Sequence, residues 1–351
     1  MATNPTLQAH LRNNARTATE LCHPEGDGFV RCVACAHRCR MAEGEHGICG
    51  VRFAEQGALR VPWGYVSTLA CDPIEKKPLY HFLPGGDVVS FGMLGCNLRC
   101  GFCQNWTISQ AGRDETAVAF PQRIEAAAIV QQARRLAAPA IASTYNEPLI
   151  STEWALEIFR LARDAGIRTC YVSNGFASPE VLDLLIPWLD AINVDLKCFT
   201  DAGYRQLGGH LQPVLDTIRR LVEQGVWVEA TTLVVPGFND SAEELAECAR
   251  FLASVSPDLP WHVSAFHADY QWLQGPARTP LAAIERAVAC GREAGLRYVY
   301  AGNLSGDEHG NTCCPGCGTT VVSRRGFRVR RNDLVEGACP VCGVRLAGIW
   351  H

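Results

Sequence analysis

The 351-residue sequence lacks the features of a membrane, secreted or strongly charged protein. It has 32 basic and 36 acidic residues, and a net charge of −4 exerts no general attraction on nucleic acid or an anionic membrane. No apolar run of about 18 residues could span a bilayer, and the polar segment after Met1 lacks a signal-peptide core. We therefore expect a cytoplasmic protein that binds no membrane, and we do not expect nucleic acid as a partner.

Cysteine, in contrast, is abundant, with 18 in the chain. In a reducing compartment, clustered thiols indicate metal binding or catalysis more than disulfides. Twelve form three local groups, which are Cys32, Cys35, Cys39 and Cys49; Cys96, Cys100 and Cys103; and Cys313, Cys314, Cys317, Cys339 and Cys342. The other six lie singly, mostly in apolar or helical patterns, and are interpreted as small buried hydrophobic residues: Cys22, Cys71, Cys170, Cys198, Cys248 and Cys290.

Between the second and third cysteine groups, β-branched runs alternate with helical patterns of ten or more residues. The runs cover 88–93, 140–145, 169–174, 191–197, 226–235, 261–266 and 298–301, and the helical patterns cover 123–136, 152–165, 179–188, 213–224, 241–254 and 280–294. This alternation predicts an α/β fold with a parallel sheet, open or curled into a full or partial barrel, and helices outside it. Such folds place their chemistry at the C-terminal ends of the strands.

The first run leads into a loop in which Cys96, Cys100 and Cys103 have Cys-x3-Cys-x2-Cys spacing. Three thiolates can hold three irons of a 4Fe-4S cubane and leave the fourth iron open to a substrate or cofactor. The alternative is a structural zinc site, which would need a fourth ligand that the loop does not offer. The position after a strand favours the iron-sulfur cluster.

This loop resembles the hallmark of the radical S-adenosylmethionine (SAM) superfamily, in which an aromatic residue, here Phe102, precedes the third cysteine. The resemblance extends over nearly the whole chain and implies a (β/α)6-type partial TIM barrel. It also implies that the amine and carboxylate of SAM chelate the open iron. One electron, from a flavodoxin-like or ferredoxin-like donor, would then cleave SAM to methionine and a 5′-deoxyadenosyl radical that abstracts hydrogen from a substrate.

Polar residues after the later strands complete the candidate site. A carboxylate shielded from solvent pairs strongly with an ammonium. Glu147 stands where the family's Gly-Gly-Glu-Pro motif has its SAM-binding acid, although Tyr145 and Asn146 replace both glycines. The alternative role for Glu147 is a helix first-turn acid that complements the helix dipole.

The remaining candidates resemble residues of glycyl-radical activases such as pyruvate formate-lyase activase. The resemblance implies cofactor contacts for Ser173, Asn174, Asp195, Lys197 and His267. A plain surface pair is the alternative for Asp195 and Lys197, since strand residues two apart share a face, and a structural role is the alternative for His267. His262 is interpreted as structural. Val172 replaces an activase Asp that helps to bind a monovalent cation, so that cation site is not carried over.

The C-terminal cysteines form two Cys-Pro-x-Cys-Gly knuckles separated by 21 residues. They predict one four-thiolate site in a zinc-ribbon or rubredoxin-like domain, with zinc as the default metal and iron as the alternative. Its ligands are Cys314, Cys317, Cys339 and Cys342, with Cys313 spare. The arginines between the knuckles form either a solvated ribbon face or a surface for an acidic partner or RNA: Arg324, Arg325, Arg328, Arg330 and Arg331.

The N-terminal group, Cys32, Cys35, Cys39 and Cys49, makes a compact loop of four thiols with interspersed glycines. Its spacing predicts metal binding. Ligand identity alone leaves zinc and an auxiliary iron-sulfur cluster open. Mutual disulfides are the less favoured alternative.

These flanking motifs select a subfamily. Together with the Asp-Pro-Ile-Glu-Lys-Lys-Pro segment at 72–78 and the Gly-Ile-Trp segment at 348–350, they resemble the radical enzyme of the AmmeMemoRadiSam system. The resemblance implies Memo-type and AMMECR-type partner proteins and leaves the substrate open. We expect a Cys-rich metal-binding segment at 1–84, a radical SAM partial barrel at 85–305 and a zinc ribbon at 306–351.

Two classes of function remain in view. The first is a radical SAM enzyme acting on an unidentified substrate, with a glycyl-radical activase acting on a partner protein as its alternative form. The second is a non-catalytic metal-binding or RNA-binding protein, suggested by the ribbon and its arginines. The open-iron loop on a parallel barrel favours the enzyme, because a binding module does not need it.

Overall fold

A computed structural model describes residues 5–304 and 308–351 of the chain. Its α-helices are α1 (Pro5–Asn13), α2 (Trp106–Ser109), α3 (Ala126–Arg135), α4 (Thr152–Asp164), α5 (Pro179–Leu185), α6 (Asp201–Gln206), α7 (Leu211–Glu223), α8 (Ala242–Val255) and α9 (Leu281–Glu293). The N-terminal strands are β1 (Ala15–Thr17), β2 (Cys22–Glu25), β3 (Phe29–Cys32), β4 (Arg40–Met41), β5 (Phe53–Glu55), β6 (Ala58–Pro62), β7 (Tyr65–Val66) and β8 (Thr68–Pro73). The later strands are β9 (Asp87–Gly92), β10 (Gln122–Arg123), β11 (Ala140–Ser143), β12 (Arg168–Ser173), β13 (Ala191–Asp195), β14 (Trp227–Val234), β15 (Trp261–Ala265), β16 (Val299–Gly302), β17 (Thr312–Cys313), β18 (Thr320–Arg325) and β19 (Arg328–Asn332).

The centre of the fold is an eight-stranded sheet in the order β16-β15-β14-β13-β12-β11-β9-β8. Strands β9 and β11 to β16 are parallel to their neighbours in this set. Six of them are each followed by a helix before the next strand begins, and β16 closes the series. Six β/α units on a parallel sheet confirm the predicted α/β architecture.

Burial explains why the apolar runs form interior strands. Strand β11 is buried at all four positions, as expected for a parallel strand with helices on one side and the barrel interior on the other. Helix α7 repeats buried Val214, Ile218 and Leu221 at helical spacing and so presents one apolar face to the sheet. Helix α8 follows Ser241, whose side chain accepts a hydrogen bond from the Glu244 amide and so fixes the start of the helix.

Strand β8 was not predicted. It runs antiparallel to β9, with Thr68 opposite Gly92 and Pro73 opposite Asp87. Its residues are half-buried or exposed, so it lacks the apolar run that marks the parallel strands. The expected domain boundary at residue 84 therefore falls between two paired strands. Cys71 on this strand is exposed, which corrects the expectation that the single cysteines are buried.

Smaller sheets flank the barrel. The three-stranded sheets β1-β6-β5 and β2-β3-β4 build the N-terminal segment, and β17-β18-β19 builds the C-terminal ribbon. Arg324 on β18 is fully buried against Glu75, which corrects the expectation of a uniformly solvated arginine face. Among the residues that the structure describes, no helix is both long and apolar enough to cross a membrane.

Candidate active site

A cavity of about 470 Å³ lies where the loops after the parallel strands meet. The C-terminal ends of neighbouring parallel strands share one edge of the sheet, so residues far apart in sequence converge there. The cavity lining includes all the residues predicted for the cluster and for SAM except Ser173 and His267: Cys96, Cys100, Phe102, Cys103, Glu147, Asn174, Asp195 and Lys197.

The cysteine loop follows β9 and is held by backbone contacts. Gly95 has a φ of +87°, and a side chain there would meet the Cys49 carbonyl oxygen at 2.7 Å, so this position requires glycine. The Leu98 amide lies 3.4 Å from the Cys96 sulfur. The Arg113 guanidinium donates to the Cys96 carbonyl oxygen at 2.8 Å. These contacts fix a short loop so that its three thiols face the cavity.

The chemistry of this donor set fits a cluster. Burial raises the pKa of the Cys100 thiol to about 12 and that of the Cys96 thiol well above its ordinary value, so their thiolates need nearby positive charge, which bound iron would supply. In the described parts of the chain, 5–304 and 308–351, the only set of three or more ligand atoms that all lie within 4.8 Å belongs to the ribbon. The sulfurs of Cys96, Cys100 and Cys103 therefore do not all share the close spacing of a single-ion site, and wider spacing is what several irons require.

Glu147 is buried beside this loop, at 2% exposure. Its carboxylate accepts hydrogen bonds from the Ser173 hydroxyl at 2.7 Å, the Asn174 amide at 2.8 Å and the Leu149 amide at 3.0 Å. A carboxylate offers about four acceptor positions, so one remains for a ligand. Burial raises the pKa of Glu147 to about 7, while these hydrogen bonds oppose the rise.

Ser173 and Asn174 have different positions relative to the cavity. Ser173 does not line the cavity, and it orients Glu147 from behind. Asn174 lines the cavity, and its side-chain amide donates to Asn97 at 2.7 Å and lies 3.9 Å from the Cys96 sulfur. Asn97 is fully buried within the cysteine loop and was not predicted. The carboxylate and the loop are thus linked through one hydrogen-bonded chain.

Asp195 and Lys197 form an ion pair at 3.1 Å on the cavity wall, at the C-terminal end of β13. Burial lowers the pKa of Lys197, but Asp195 and the Cys100 thiol raise it more, so the lysine stays charged. The pair faces the cavity, where it puts both signs of charge near the cysteines. A zwitterionic ligand would meet a partner for each of its charges there.

The aromatic residue of the motif, Phe102, is buried and packs edge-on against Trp272, with ring centroids 5.1 Å apart. Gly101 also contacts Trp272, since a side chain there would meet the indole nitrogen at 2.6 Å. His267 is exposed and contacts Gln104 at 2.7 Å, outside the cavity lining. Its position is that of a surface group beside the loop.

The far end of the cavity, away from the cysteine loop, contains residues to which the sequence patterns assign no cofactor role. Glu75, Lys77, Tyr145 and Tyr300 line it together with His262, which was interpreted as structural. His262 contacts the buried Glu229 carboxylate at 2.6 Å, so it has a structural partner and also faces the cavity. Lys77 bonds to the Tyr145 hydroxyl at 3.1 Å. The Lys-Lys-Pro segment lies before the first parallel strand, so its spacing does not connect it with the strand ends.

Tyr145 holds the position of a family glycine in a glycine-like conformation, with a φ of +72°. This region of φ is strained for residues with a side chain. The Lys77 ammonium lies 4.6 Å from the Tyr145 ring centroid. This contact, together with the hydrogen bond from Lys77 to the Tyr145 hydroxyl, holds the ring in place. Tyr145 therefore has a side chain at a position whose backbone conformation favours glycine.

The ribbon brings its four thiols to tetrahedral spacing. Cys314 and Cys342 are 3.5 Å apart and Cys317 and Cys339 are 3.7 Å apart, measured between sulfurs. Bonds of about 2.3 Å to one metal ion place tetrahedral sulfurs about 3.8 Å apart. A single ion fits this set, and Cys313 lies outside it.

Comparisons with known proteins agree with this geometry. The family model of the Radical SAM superfamily matches residues 91–251. The chain is 39% identical over 325 residues to an uncharacterized protein of Methanocaldococcus jannaschii, covering 91% of this chain and 96% of that protein. It is 27% identical over 195 residues to the pyruvate formate-lyase 1-activating enzyme of Escherichia coli K12, which covers 52% of this chain and 77% of that enzyme. It is also 27% identical over 220 residues to the pyruvate formate-lyase-activating enzyme of Listeria monocytogenes, which covers 58% of this chain and 84% of that enzyme. This chain therefore belongs to the radical SAM superfamily and is homologous to pyruvate formate-lyase activating enzymes.

Proposed function

We propose that this protein reductively cleaves SAM and uses the resulting 5′-deoxyadenosyl radical to abstract hydrogen from a substrate. The observation that carries the proposal is the convergence of three thiols, a buried carboxylate and an ion pair on one cavity. When bound, a 4Fe-4S cluster with an open iron supplies the electron and the chelation site for SAM.

The residues of the chain would bind the cluster and SAM, orient SAM and shield the site from water. Cys96, Cys100 and Cys103 would hold the cluster, and Glu147 would accept a hydrogen bond from the SAM amino group through its free acceptor position. Asp195 and Lys197 would contact the polar groups of the same ligand. The aromatic contact between Phe102 and Trp272 lies against one side of the loop and would shield it from water.

The test is formation of 5′-deoxyadenosine. After anaerobic reconstitution with iron and sulfide, wild-type protein with dithionite and SAM should release 5′-deoxyadenosine, and Cys100→Ala should release none above background. Cys71→Ala is the matched control, because Cys71 is an exposed single cysteine on the edge strand. A Cys100→Ala protein that still cleaved SAM would overturn the proposal.

In a second candidate function, the radical abstracts hydrogen from a partner protein. Homology to enzymes named for activating pyruvate formate-lyase favours it. This activase form predicts a glycyl-radical signal in the electron paramagnetic resonance (EPR) spectrum of a partner. A small-molecule substrate instead predicts deuterium transfer between a labelled metabolite and 5′-deoxyadenosine. Memo-type and AMMECR-type proteins are the partners to be tried first.

A further inference from the structure

The N-terminal cysteines form a second buried thiol site. Cys32, Cys35 and Cys49 are buried and Cys39 is half-buried, and all four are free thiols. The four residues belong to one compact loop, since the Cys32 amide donates to the Cys39 carbonyl oxygen at 2.9 Å and the Gly50 amide donates to the Gly47 carbonyl oxygen at 2.9 Å. A side chain on Gly47 would stand 3.6 Å from the Cys39 sulfur, so the segment before Cys49 packs on that sulfur.

Its spacing differs from that of the ribbon. Across 5–304 and 308–351, no three of these N-terminal thiols meet the 4.8 Å spacing that the ribbon thiols satisfy. The sulfurs of Cys96, Cys100 and Cys103 likewise do not all lie within 4.8 Å of one another. Thiols that surround several irons stand farther apart than thiols that share one ion, so the geometry favours a polynuclear cluster.

A buried cation lies beside these sulfurs. Hydrogen bonds to the sulfurs and nearby charge are the means by which a protein tunes an iron-sulfur cluster. The Arg52 side chain is 1% exposed, lies near Cys32 and Cys49, and pairs with Glu153 at 2.7 Å.

The N-terminal loop touches the catalytic cysteine loop directly. The Cys49 carbonyl packs on Gly95, next to Cys96. Arg113 donates to the Ile48 carbonyl oxygen at 3.2 Å and to the Cys96 carbonyl oxygen at 2.8 Å, so one guanidinium joins the two loops. His37 contacts the Asn97 carbonyl oxygen at 2.8 Å.

A surface groove of about 1390 Å³ runs along both loops. It is lined by Gly44, Gly47, Ile48 and Gly50 from the N-terminal loop and by Arg99 and Arg113 beside the catalytic loop. Ile48, next to Cys49, is 36% exposed. The N-terminal site thus lies where a protein on the surface can approach it, and it adjoins the buried catalytic site.

We propose that Cys32, Cys35, Cys39 and Cys49 hold a polynuclear iron-sulfur cluster that relays electrons to the cluster of Cys96, Cys100 and Cys103. The relay rests on the proposed function. One electron leaves a reduced one-electron carrier protein, reduces the N-terminal cluster and passes to the catalytic cluster, where SAM accepts it. The N-terminal cluster ends each cycle oxidised, and no proton or bond is exchanged there.

Inorganic sulfide tests the cluster, because neither zinc nor a rubredoxin-type iron contains it. Reconstituted wild-type protein should hold more sulfide than the roughly four per chain that one cubane supplies. Cys100→Ala should keep the excess and a reducible EPR signal, and Cys35→Ser with Cys49→Ser should lose the excess alone. The assignment of an N-terminal cluster would be overturned if wild-type protein held only about four sulfides per chain, or if Cys100→Ala held none. Neither result depends on whether the N-terminal variant folds.

The relay is tested with two reductants. With excess dithionite, which can reduce the catalytic cluster directly, the N-terminal variant should form 5′-deoxyadenosine at a rate near that of wild type. With reduced flavodoxin as the carrier, its rate should fall at least tenfold, and Cys71→Ser should behave as wild type. Equal rates with flavodoxin would overturn the relay. Wild-type protein that holds the excess sulfide but never cleaves SAM would overturn the proposed function and leave the cluster assignment standing.

Discussion

Glu147 is placed so that ligand binding and burial have opposite effects on its ionisation. Burial raises its pKa to about 7 from an ordinary value of 4.5, and an N–H donor of the SAM amino group would lower it again. In the proposed complex the carboxylate form of Glu147 accepts that hydrogen bond, so SAM affinity should rise as the pH increases from 6 to 8. Glu147→Gln should weaken SAM binding about 10-fold to 100-fold, or roughly 1.5–3 kcal/mol, and flatten the pH dependence. Calorimetric titration of reconstituted protein at both pH values measures this.

The same residue predicts the opposite pH trend for the stability of the ligand-free protein. Because the folded state raises the pKa of Glu147, its stability contribution is present below about pH 4.5 and is lost as the pH rises through about 7. In wild type, the free energy of unfolding should therefore fall between pH 5 and pH 8 by more than in Glu147→Gln. Urea denaturation of both proteins at the two pH values gives the difference, and equal slopes would contradict the assignment of this pKa.

The elements differ in how well the sequence predicts them. Strands such as β11 are recognisable because burial on both faces demands a continuous apolar run, and the ribbon is recognisable because one metal ion fixes the spacing of its cysteines. Strand β8 is half-exposed and leaves no such pattern. The Glu75 and Arg324 contact joins residues 249 apart, and local pattern does not specify which buried charges meet. The far end of the cavity was missed for the same reason.

The ribbon is an element whose folding should depend on its metal. Its largest strand has six residues, and its knuckle residues Cys317 and Cys342 are exposed, so the ribbon buries little apolar surface there. Cys342→Ser should remove one equivalent of zinc or iron without loss of sulfide and lower the melting temperature. Cys313→Ser is the control, since this exposed neighbour lies outside the four-thiol set. Metal analysis and calorimetry measure both effects, and a Cys342→Ser protein that keeps its full metal content would contradict the site.

At the scale of the whole molecule, the ribbon closes the end of the barrel opposite the cysteine loop. The His81 ring contacts the Ala347 carbonyl oxygen at 2.7 Å, and the Leu83 amide donates to Ile349 at 2.7 Å. Arg324 donates to the Tyr80 carbonyl oxygen at 2.7 Å. Glu75 and Tyr80 themselves line the cavity, so the ribbon determines the shape of its far end.

The buried Arg324 and Glu75 pair makes this closure testable. Both side chains are fully buried, and the Arg324 guanidinium lies 4.4 Å from the Tyr80 ring centroid. Arg324→Met would leave the Glu75 carboxylate buried without its cation, at a cost of about 3–5 kcal/mol in the free energy of unfolding. Glu75→Gln in the same chain removes that charge and should recover part of the loss, whereas Arg330→Met on the exposed part of the neighbouring strand should change stability by less than about 0.5 kcal/mol. Urea denaturation of the three variants measures these free energies of unfolding. If the ribbon contact contributed nothing to stability, Arg324→Met would lower the free energy of unfolding no more than Arg330→Met does.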